Sequence, residues 1–340
     1  MNKLKPPKVS IIILNWNGKH FLDGCLDSLR RQHFNDYEII LVDNGSEDGS
    51  AEFIRQAYPE VKLIALPENR GYCVGNNLGF RESRGEYIVF LNNDTVCHEK
   101  WLEELIKGIR ASRQIGFCVP KIYLMDKNNI IDAAGDAYTI AGTAYAIGHG
   151  ERDGLAYNSS CKLMVAGGVS PLFRREVLER SGLFDPDFIT GTEDIDLSLR
   201  VIHQGYVGAY VPTSIVYHKR RGDSIKDQKR IAFNNLVNIE IIWFKNIPWQ
   251  LMLKYLPHKL TFTIGSLIYF SCKGCSFVFL RAKIKFLSLL PKVLGKRRII
   301  MKNSKINYKE FDNLLEKNWF GNKLKRVKKS LKTEDVWSRG

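Results

Sequence analysis

Residues 87–95 read YIVFLNNDT, and this stretch decides the fold predicted for the chain. Residues 87–91 suit a buried strand and run directly into the polar residues 92–95. A strand that is apolar throughout implies cover on both faces, as in a parallel sheet with helices on each side. Ligands of such sheets bind beyond the carboxyl ends of the strands. We therefore expect Asp94 to project into a crevice, where a carboxylate is either a metal ligand or a cost to folding.

Strand and helix patterns alternate four times over residues 9–112. Predicted strands cover residues 9–14, 38–42, 61–66 and 87–91, and predicted helices cover residues 21–32, 50–58, 75–83 and 99–112. This alternation is typical of an α/β fold with a mostly parallel central sheet. If the strands are neighbours, Asp43, Asn69 and Asp94 converge on one crevice at their carboxyl ends.

Neither of the two commonest nucleotide-binding fingerprints occurs in the chain. No G-x-G-x-x-G follows the first predicted strand, and G-x-x-x-x-G-K-[ST] occurs nowhere. A nucleotide in the crevice is therefore expected to be held by loop carboxylates and amides. Residues 132–149 are rich in Gly, Ala and Tyr, which predicts either a β-hairpin or a mobile loop over the crevice. Further strands are predicted over residues 162–166, 207–211 and 215–218, with a close backbone approach at Gly167 and Gly168.

Two acidic residues at predicted strand ends have both a binding and a purely structural interpretation. Asp43 can accept hydrogen bonds from a nucleoside, but residues 43–46, Asp-Asn-Gly-Ser, favour a turn when taken alone. In Asn92-x-Asp94, a hard divalent cation would take carboxylate and phosphate oxygens. Asp94 lies several residues before the helix predicted from Glu99, which argues against a helix-capping role.

Three carboxylates open the helix predicted over residues 193–204, namely Glu193, Asp194 and Asp196. The helix dipole favours acidic residues in a first turn, and Thr190 with Glu193 fits a capping box. Three carboxylates within four residues nevertheless exceed what capping needs. Their mutual repulsion is expected to raise at least one pKa, which suits a general base.

The net charge of +15 is carried by the C-terminal third of the chain. Residues 226–340 hold 25 Lys/Arg and 7 Asp/Glu, a net charge of +18, whereas residues 1–225 hold 26 basic and 29 acidic residues, a net charge of −3. A basic segment rich in apolar residues points to a membrane or to nucleic acid. Because the segment lacks the aromatic and basic platform of single-strand binders, nucleic acid is not the expected partner. We therefore divide the chain into a domain of residues 1–225 and a basic amphipathic helical region of residues 226–340.

Residues 261–280 carry one charge, Lys273, over twenty positions, which is long enough to cross a bilayer. A lysine near a helix centre costs roughly 2.5 to 3.5 kcal/mol on insertion, which weakens this interpretation. Residues 283–298 then alternate basic residues with Ile, Phe and Leu. The favoured interpretation is a helix pair lying in or against the membrane interface. A single span is the second interpretation, and an ordinary amphipathic helical subdomain is the third.

The seven cysteines are odd in number and scattered, which favours a reducing cytosol over a disulfide framework. Cys272 and Cys275 form the only C-x-x-C and lack a second pair or a nearby His, so zinc is not expected. The apolar run at residues 9–14 is too short for a signal peptide. The expected location is the cytoplasm, at the inner face of the cell membrane.

Six motifs occur in order over roughly residues 8–225. They are VSIIILNWNG (9–18), LVDNGSEDGS (41–50), NRGYCVGNNLG (69–79), FLNNDT (90–95), GLFDPDFITGTEDIDLSLR (182–200) and VYHKRRGDS (216–224). Together they resemble the motifs of family 2 glycosyltransferases, closest to the rhamnosyltransferase-like members that build bacterial surface polysaccharides. The resemblance implies the GT-A (nucleotide-diphospho-sugar transferase) fold, an α/β fold with a mostly parallel central sheet.

The resemblance also implies roles at the matching positions. Asp94 would be the metal ligand of the family's D-x-D element, and Asp194, paired with Glu193, would be the catalytic base. His218 resembles a histidine that lies near the metal or the diphosphate in some members. The positions that would contact the nucleotide sugar are Asn15, Asp43, Asn69, Gly71, Asn92 and Asn93, with Asp43 at the nucleoside. Because Asn92 stands where the family has an aspartate, we expect His218 to supplement Asp94.

The predicted function is that of an inverting, metal-dependent glycosyltransferase that uses Mn²⁺ or Mg²⁺. Its donor would be a dTDP- or UDP-sugar, and its acceptor a hydroxyl of a lipid-linked or polysaccharide saccharide at the membrane surface. A nucleotide-sugar nucleotidyltransferase is one alternative, although residues 15–18 do not supply the basic glycine-rich loop that it needs. A non-catalytic membrane-binding protein is another, and homo-oligomer formation is left open.

Overall fold

The computed structural model describes residues 6–127, 129–188, 191–220, 225–322 and 324, with residues 225–228 described by their backbone alone. The strands are β1 (Val9–Asn15), β2 (Tyr37–Asn44), β3 (Lys62–Leu66), β4 (Tyr87–Asn92), β5 (Thr95–Cys97), β6 (Ile115–Leu124), β7 (Ile131–Ala133), β8 (Asp136–Tyr138), β9 (Ala144–Ala146), β10 (Lys162–Leu163), β11 (Leu172–Arg174) and β12 (Val207–His218). The helices are α1 (Lys19–Arg30), α2 (Ser50–Ala57), α3 (Tyr72–Arg81), α4 (Trp101–Arg110), α5 (Arg175–Ser181), α6 (Glu193–His203), α7 (Ile225–Asn246), α8 (Trp249–Lys254), α9 (Leu256–Cys272), α10 (Ser276–Lys302) and α11 (Tyr308–Leu314).

Ten strands of the described chain form one mixed sheet. Its order is β10-β12-β6-β11-β4-β1-β2-β3, and β5 and β7 pair with β12 and β6. The pairs β4–β1, β1–β2, β2–β3 and β6–β12 are parallel, whereas β11 is antiparallel to both β4 and β6. The carboxyl ends of β4, β1, β2 and β3 therefore lie along one edge. The predicted α/β fold with a mostly parallel central sheet is confirmed.

Strand β4 is buried on both faces, as its apolar sequence predicts. Ile88 and Phe90 point into one core with residues of α3, α5 and α6, and Val89 and Leu91 point into a second core with residues of α1 and α4. This alternation follows from the two-residue period of a strand. Helical cover on both sides leaves the strand ends as the open edge of the sheet.

The second half of the sheet departs from the sequence-based expectations. The sequence pattern does not predict strand β6, because Pro120 within it cannot donate to a ladder and disfavours a strand. The neighbouring β12 accommodates Pro120 with an irregularity between Val211 and Ile215. The two short strands expected over residues 207–211 and 215–218 are consequently one strand. The strand expected over residues 162–166 covers Lys162–Leu163 only.

Part of the stretch predicted as a hairpin or a mobile loop is a β-hairpin. Strands β8 and β9 pair within residues 136–146. The hairpin is fixed from outside, since Ile140 N–H donates to Glu316 O over 3.1 Å and Glu316 N–H donates to Tyr138 O over 2.9 Å. Gly142, with φ of 78°, lies so close to the Trp243 ring that a Cβ there would approach it to 2.7 Å.

Residues 261–280 are not one helix. Helix α9 ends at Cys272 and α10 begins at Ser276, with Gly274 at φ of 65° between them. In the described part of the chain, no helix has the length and apolar character needed to cross a membrane. The single-span interpretation of residues 261–280 is therefore wrong.

The C-terminal helices share a hydrophobic core with the sheet. Leu236 and Trp243 of α7 and Phe286 of α10 belong to the same buried cluster as Phe173 and Leu197. Within the described ranges, the most extensive packing between two helices is that of α7 with α10, which places α10 over α7 at the outside of the molecule. The division of the chain at residue 225 stays a prediction.

Candidate active site

A chain of buried side chains joins the ends of β4, β1 and β2. Asn93 Nδ2 donates to Asn15 Oδ1 over 2.6 Å, and Asn15 Nδ2 donates to Asp43 Oδ1 over 2.9 Å. The parallel register places Asn15 directly beside Asp43. The Ser46 hydroxyl also donates to Asp43 Oδ1 over 2.6 Å, so Asp43 has the expected turn role as well. The three predicted residues are therefore held together at one edge of the sheet.

The loops after β2 and β3 also meet at this edge. Asn44 Nδ2 and Gly71 N–H both donate to Asn69 Oδ1, each over 2.9 Å. Gly45 has φ of 73°, and a Cβ there would lie 2.5 Å from a backbone carbon of Glu68. Only glycine permits this approach. Asn69 and Gly71 thus lie at the start of α3, beside the network around Asp43.

Asp94 and His218 face each other where β4 leads into β5. Thr95 pairs with His218 in the antiparallel β5–β12 ladder, which brings the preceding Asp94 against the imidazole ring. His218 Nε2 lies 3.4 Å from Asp94 Oδ1, and both residues are buried. Burial alone would lower the pKa of His218, but hydrogen bonds and charges from Asp132 and Asp94 raise it to about 9.

Asp132 occupies the other side of the His218 ring. Its Oδ2 lies 2.7 Å from His218 Nδ1, and its Oδ1 lies 3.1 Å from His149 Nδ1. Arg220 Nη1 lies 3.6 Å from Asp132 Oδ1 and 2.9 Å from His149 Nε2. Burial would raise the pKa of Asp132, but His149, His218 and Arg220 hold it well below its ordinary value.

Asp94 and His218 fit one side of a divalent-cation site. A carboxylate oxygen suits Mg²⁺ and Mn²⁺, whereas an imidazole nitrogen suits transition metals, so the mixed pair favours Mn²⁺. In the described ranges, no cluster of three or more His, Cys, Asp and Glu side chains could hold a metal ion. Cations that bind nucleotides often take one or two protein carboxylates and complete their shell with phosphate and water oxygens. The residues present fit such a shared site.

Asn92 contributes its backbone to this region. Its N–H donates to Val169 O over 2.9 Å, and its carbonyl accepts from the Thr95 hydroxyl over 2.6 Å. Its amide side chain stands at the first D-x-D position and is half-buried. The position therefore supplies no second carboxylate beside Asp94.

Glu193 and Asp194 open α6 in surroundings that oppose negative charge. Glu193 is 8% exposed, and its Oε2 has no hydrogen-bond partner among the described residues. Burial and the charge of Asp194 raise the pKa of Glu193 to about 8, and burial raises the pKa of Asp194. A rise in pKa is therefore found as expected, but its larger cause is burial and not the mutual repulsion on which the prediction rested. Thr190 of the predicted capping box lies outside the described residues, and the N-cap of α6 is Thr192, which makes no side-chain cap hydrogen bond.

Residues 167–169 connect this carboxylate pair to the end of β4. Val169 O accepts the hydrogen bond from Asn92, and Tyr72 O–H donates to Gly168 O over 3.5 Å. A Cβ on Gly168 would lie 3.3 Å from Asp194 Oδ2, which confirms the close backbone approach predicted there. Asp194 therefore packs against the segment that pairs with the D-x-D strand.

The third carboxylate of α6, Asp196, has a structural role. It is fully buried and accepts hydrogen bonds of 2.9 Å from Arg200 Nε, Lys245 Nζ and Asn246 Nδ2. Burial would raise its pKa, but Arg200 and Lys245 lower it. Lys245 also donates to Asp185 over 2.6 Å. Helix α7 thereby holds the helix that presents Glu193 and Asp194.

Sequence reasoning did not single out Asp132, His149, Tyr72 or Lys245. A signal for Asp132 was present, since it is the one charge in the apolar run of residues 130–134, Ile-Ile-Asp-Ala-Ala. A carboxylate inside such a run costs folding free energy unless a nearby donor or cation pairs with it. Lys245 gives the same signal within the apolar stretch of residues 241–248.

The model of the family described as glycosyl transferase family 2 matches residues 10–182, half of the chain. The chain belongs to glycosyl transferase family 2. The match includes Asp43, Asn92 and Asp94, whereas Asp194 and His218 lie beyond its end. The assignment of this glycosyltransferase to its family therefore rests on the part of the site at the strand ends, which includes Asp43, Asn92 and Asp94.

Curated relatives of this glycosyltransferase come from archaea and bacteria. Glycosyltransferase AglE of Haloferax volcanii is 28% identical over 237 residues, which cover 66% of this chain and 72% of that protein. The O-antigen biosynthesis protein RfbC of Myxococcus xanthus is 29% identical over 65% of this chain but only 18% of its own length. Poly-beta-1,6-N-acetyl-D-glucosamine synthase of Staphylococcus epidermidis is 26% identical over 62% of this chain and 49% of its own length. The chain thus spans less than half of the latter two relatives.

Two solved structures share the fold. GalNAc-T7 with UDP, GalNAc and Mn²⁺ has a TM-score of 0.56 over 72% of this chain and 48% of that chain, at 18% identity. The mannosyltransferase PcManGT from Pyrobaculum calidifontis, in complex with GDP-Man and Mn²⁺, has a TM-score of 0.50 over 84% of this chain and 88% of that chain, also at 18% identity. These likenesses support the GT-A fold.

Proposed function

We propose that this family 2 glycosyltransferase is an inverting, metal-dependent enzyme that moves a sugar from a nucleoside diphosphate to an acceptor hydroxyl. One observation carries the proposal: residues 167–169 pair with the end of β4 and pack against Asp194. A cation-binding pair, Asp94 and His218, and a carboxylate base thus belong to one edge of the sheet. Such an arrangement suits a donor diphosphate at one side and an acceptor at the other.

The nucleoside end of the donor would lie on the network of Asn15, Asp43 and Asn93. Two parallel strands and the Ser46 hydroxyl hold the Asp43 carboxylate in one orientation, ready to accept from a base N–H or a ribose hydroxyl. Asn69 and Gly71 lie beside it at the start of α3, where backbone N–H groups point outward. Bound UDP and GDP-Man in the two solved structures support a nucleotide-sugar donor of this kind.

Asp94 and His218 would hold a divalent cation together with the donor phosphates. When bound, the cation supplies positive charge beside the leaving diphosphate. The chain itself adds Lys219 and Arg220, which directly follow His218 and carry positive charge near the same position. Arg220 contacts Asp132 and His149, so its guanidinium is held near the pair. Mn²⁺ in both solved structures supports this assignment.

Asp194 would act as the base, with Glu193 holding a proton beside it. Burial and the charge of Asp194 raise the pKa of Glu193 to about 8, which supports Glu193 as the protonated member of the pair and Asp194 as the proposed base. Asp194 removes the acceptor's hydroxyl proton, the acceptor oxygen attacks the anomeric carbon, and the bond to the diphosphate oxygen breaks. One displacement inverts the anomeric centre and needs no nucleophilic carboxylate.

The outer face of α9 and α10 is proposed to rest on an anionic membrane that carries a lipid-linked acceptor. On α9 the exposed apolar side chains recur every three or four residues, at Leu256, Leu260, Ile264, Leu267 and Ile268. On α10 the same spacing is formed by Phe277, Leu280, Ile284 and Leu287, and Leu294 follows two turns further on. The exposed cations Lys273, Arg281 and Lys285 lie among them. Apolar stripes bordered by cations complement an anionic lipid surface at its cytoplasmic side.

A donor screen tests the proposed reaction. Purified full-length protein is incubated with dTDP-, UDP- and GDP-sugars, with Mn²⁺, Mg²⁺ or EDTA, and release of the nucleoside diphosphate is measured. We expect release from one nucleotide class, and more release with Mn²⁺ than with EDTA. Equal release of the nucleoside diphosphate with EDTA would contradict the proposed cation site. In a separate incubation with a sugar phosphate and a nucleoside triphosphate, release of pyrophosphate would indicate a nucleotidyltransferase instead.

A further inference from the structure

Asp132 is a buried carboxylate that the family match and the proposed reaction leave without a role. It lies in β7 beside β6, only 3% of it is exposed, and apolar residues flank it in sequence. An ionised carboxylate in such a place costs folding free energy unless it is paired and hydrogen-bonded. The side chains that contact Asp132 should therefore indicate its role.

Both oxygens of Asp132 face histidine Nδ1 atoms. Oδ2 lies 2.7 Å from His218 Nδ1, and Oδ1 lies 3.1 Å from His149 Nδ1. An ionised carboxylate only accepts hydrogen bonds, so His218 Nδ1 must carry the hydrogen. His149 Nδ1 also lies 3.0 Å from the Asp132 backbone carbonyl, which is likewise an acceptor, so this nitrogen carries a hydrogen as well. A protonated imidazole has no free lone pair, so binding a cation requires the neutral form of His218, in which the lone pair is on Nε2, the atom that lies 3.4 Å from Asp94 Oδ1.

His149 is held in the same way from its other side. The Arg220 guanidinium is an obligatory donor, and its Nη1 lies 2.9 Å from His149 Nε2. His149 must accept at Nε2 and donate at Nδ1, toward Asp132. The His149 ring thus donates to the backbone carbonyl of Asp132 over 3.0 Å, and its Nδ1 and the Arg220 guanidinium both lie beside the second carboxylate oxygen.

We propose that Asp132 is a positioning residue of the cation site, which holds His218 with Nε2 directed at the ion that Asp94 binds. The inference rests on the proposed function and adds to it a residue outside the six sequence motifs. Carboxylates that accept from the distal nitrogen of a metal-binding histidine fix the ring's orientation and raise its basicity. His149 and Arg220 complete the arrangement by fixing the carboxylate itself.

Mn²⁺ binding to the full-length protein tests the inference without any sugar donor. The protein is titrated with Mn²⁺ alone, and the free-ion EPR signal gives the dissociation constant for wild type, Asp132→Asn, His218→Ala and the control Asp126→Asn. Asp126 is exposed and forms an ion pair with Lys219, so it controls for a lost carboxylate near the site. Thermal unfolding of each variant shows whether it is folded.

The expected result is a loss of Mn²⁺ affinity of about 10- to 100-fold in the folded Asp132→Asn variant, with Asp126→Asn like wild type. Pulsed EPR should show an imidazole nitrogen coupled to Mn²⁺ in wild type and none in His218→Ala. Wild-type affinity in a folded Asp132→Asn variant would overturn the positioning role alone. Absence of Mn²⁺ binding in wild type would overturn the proposed cation site together with it. If Asp132→Asn is unfolded, the same titration is made on His149→Ala, where an unchanged affinity again overturns the inference.

Discussion

At the scale of single residues, Glu193 and Asp194 share one environment but are expected to differ in charge. Glu193 retains its proton to a pH of about 8 because burial and the Asp194 charge both oppose its ionisation. Tyr72 and Cys73 of α3 face the pair, and burial together with these carboxylates raises the pKa of both well above the neutral range. They are neutral there and add no charge.

Replacement of Glu193 by glutamine should stabilise the fold at alkaline pH. Between the ordinary carboxyl pKa of 4.5 and about 8, the folded state binds more protons at Glu193 than the unfolded state, so wild-type stability falls as pH rises through this window. The amide side chain of the Glu193→Gln variant cannot ionise, which removes that contribution. Melting temperatures of the two proteins should be close at pH 5, with the variant higher by several degrees at pH 9. A constant difference from pH 5 to pH 9 would contradict the raised pKa.

Several of these residues can be predicted from the sequence because a polar residue after an apolar strand marks the end of that strand in a parallel sheet. Asp43, Asn69 and Asp94 each follow an apolar strand, and the structure places all three on one edge of the sheet. The bridging role of Asn15 and the support from Asp132 depend on side-chain directions across strands far apart in sequence. No local pattern encodes those directions, although the isolated charge of Asp132 in an apolar run was a usable signal.

At the scale of elements, α6 is fixed to α7 by buried charges. Lys245 is buried and donates to both Asp185 and Asp196, on the loop before α6 and on α6 itself. On the other side, Lys296 of α10 donates to Asp185 and Asp187. The C-terminal helices therefore set the position of the helix that presents Asp194.

Lys245→Met should destabilise the protein by about 3 kcal/mol, because removal of one partner leaves buried carboxylates undercompensated. Equilibrium unfolding in urea, followed by far-UV circular dichroism, gives this value. Lys254→Met is the matched control, since Lys254 pairs with Asp312 while itself exposed, and it should change stability little. Equal effects of the two substitutions would contradict the structural importance of the buried network.

Helices and strands of the first half are predictable because their apolar periods are regular and their turns are polar. Strand β6 is not predictable in this way, since Pro120 suggests the end of a strand. The neighbouring β12 accommodates the proline through an irregularity in the pairing. The break between α9 and α10 also escapes prediction, because Lys273 and Gly274 lie in an otherwise apolar run. A helix end of this kind depends on how α10 folds back against α7.

At the scale of the whole molecule, charge and apolar surface are concentrated on the C-terminal helices. The buried face of α10, with Phe279, Ala282, Phe286 and Val293, packs inward, and its opposite face stays exposed. An ordinary soluble surface rarely groups this many large apolar side chains. The proposed membrane contact follows from that surface and from the cations among it.

Ile264→Glu combined with Ile268→Glu should weaken binding to anionic vesicles by about tenfold, because two apolar side chains leave the lipid interface and two negative charges enter it. Cosedimentation with phosphatidylglycerol-containing vesicles measures the effect, with neutral phosphatidylcholine vesicles alongside. Leu155→Glu is the control, because Leu155 is 90% exposed on a different surface segment. Equal binding of wild type to neutral and anionic vesicles, or equal loss in the control, would contradict the assigned face.

The most direct test of the proposed reaction is a comparison of donor binding and sugar transfer in Asp194→Asn. Asp194 is assigned only to the acceptor proton, whereas Asp94 is assigned to the cation and the donor. We expect Asp194→Asn to bind the nucleotide sugar with Mn²⁺ as wild type does and to transfer the sugar about 10²- to 10⁴-fold more slowly. Asp94→Ala should lose Mn²⁺-dependent donor binding as well. Transfer by folded Asp194→Asn at a rate near that of wild type would contradict the account.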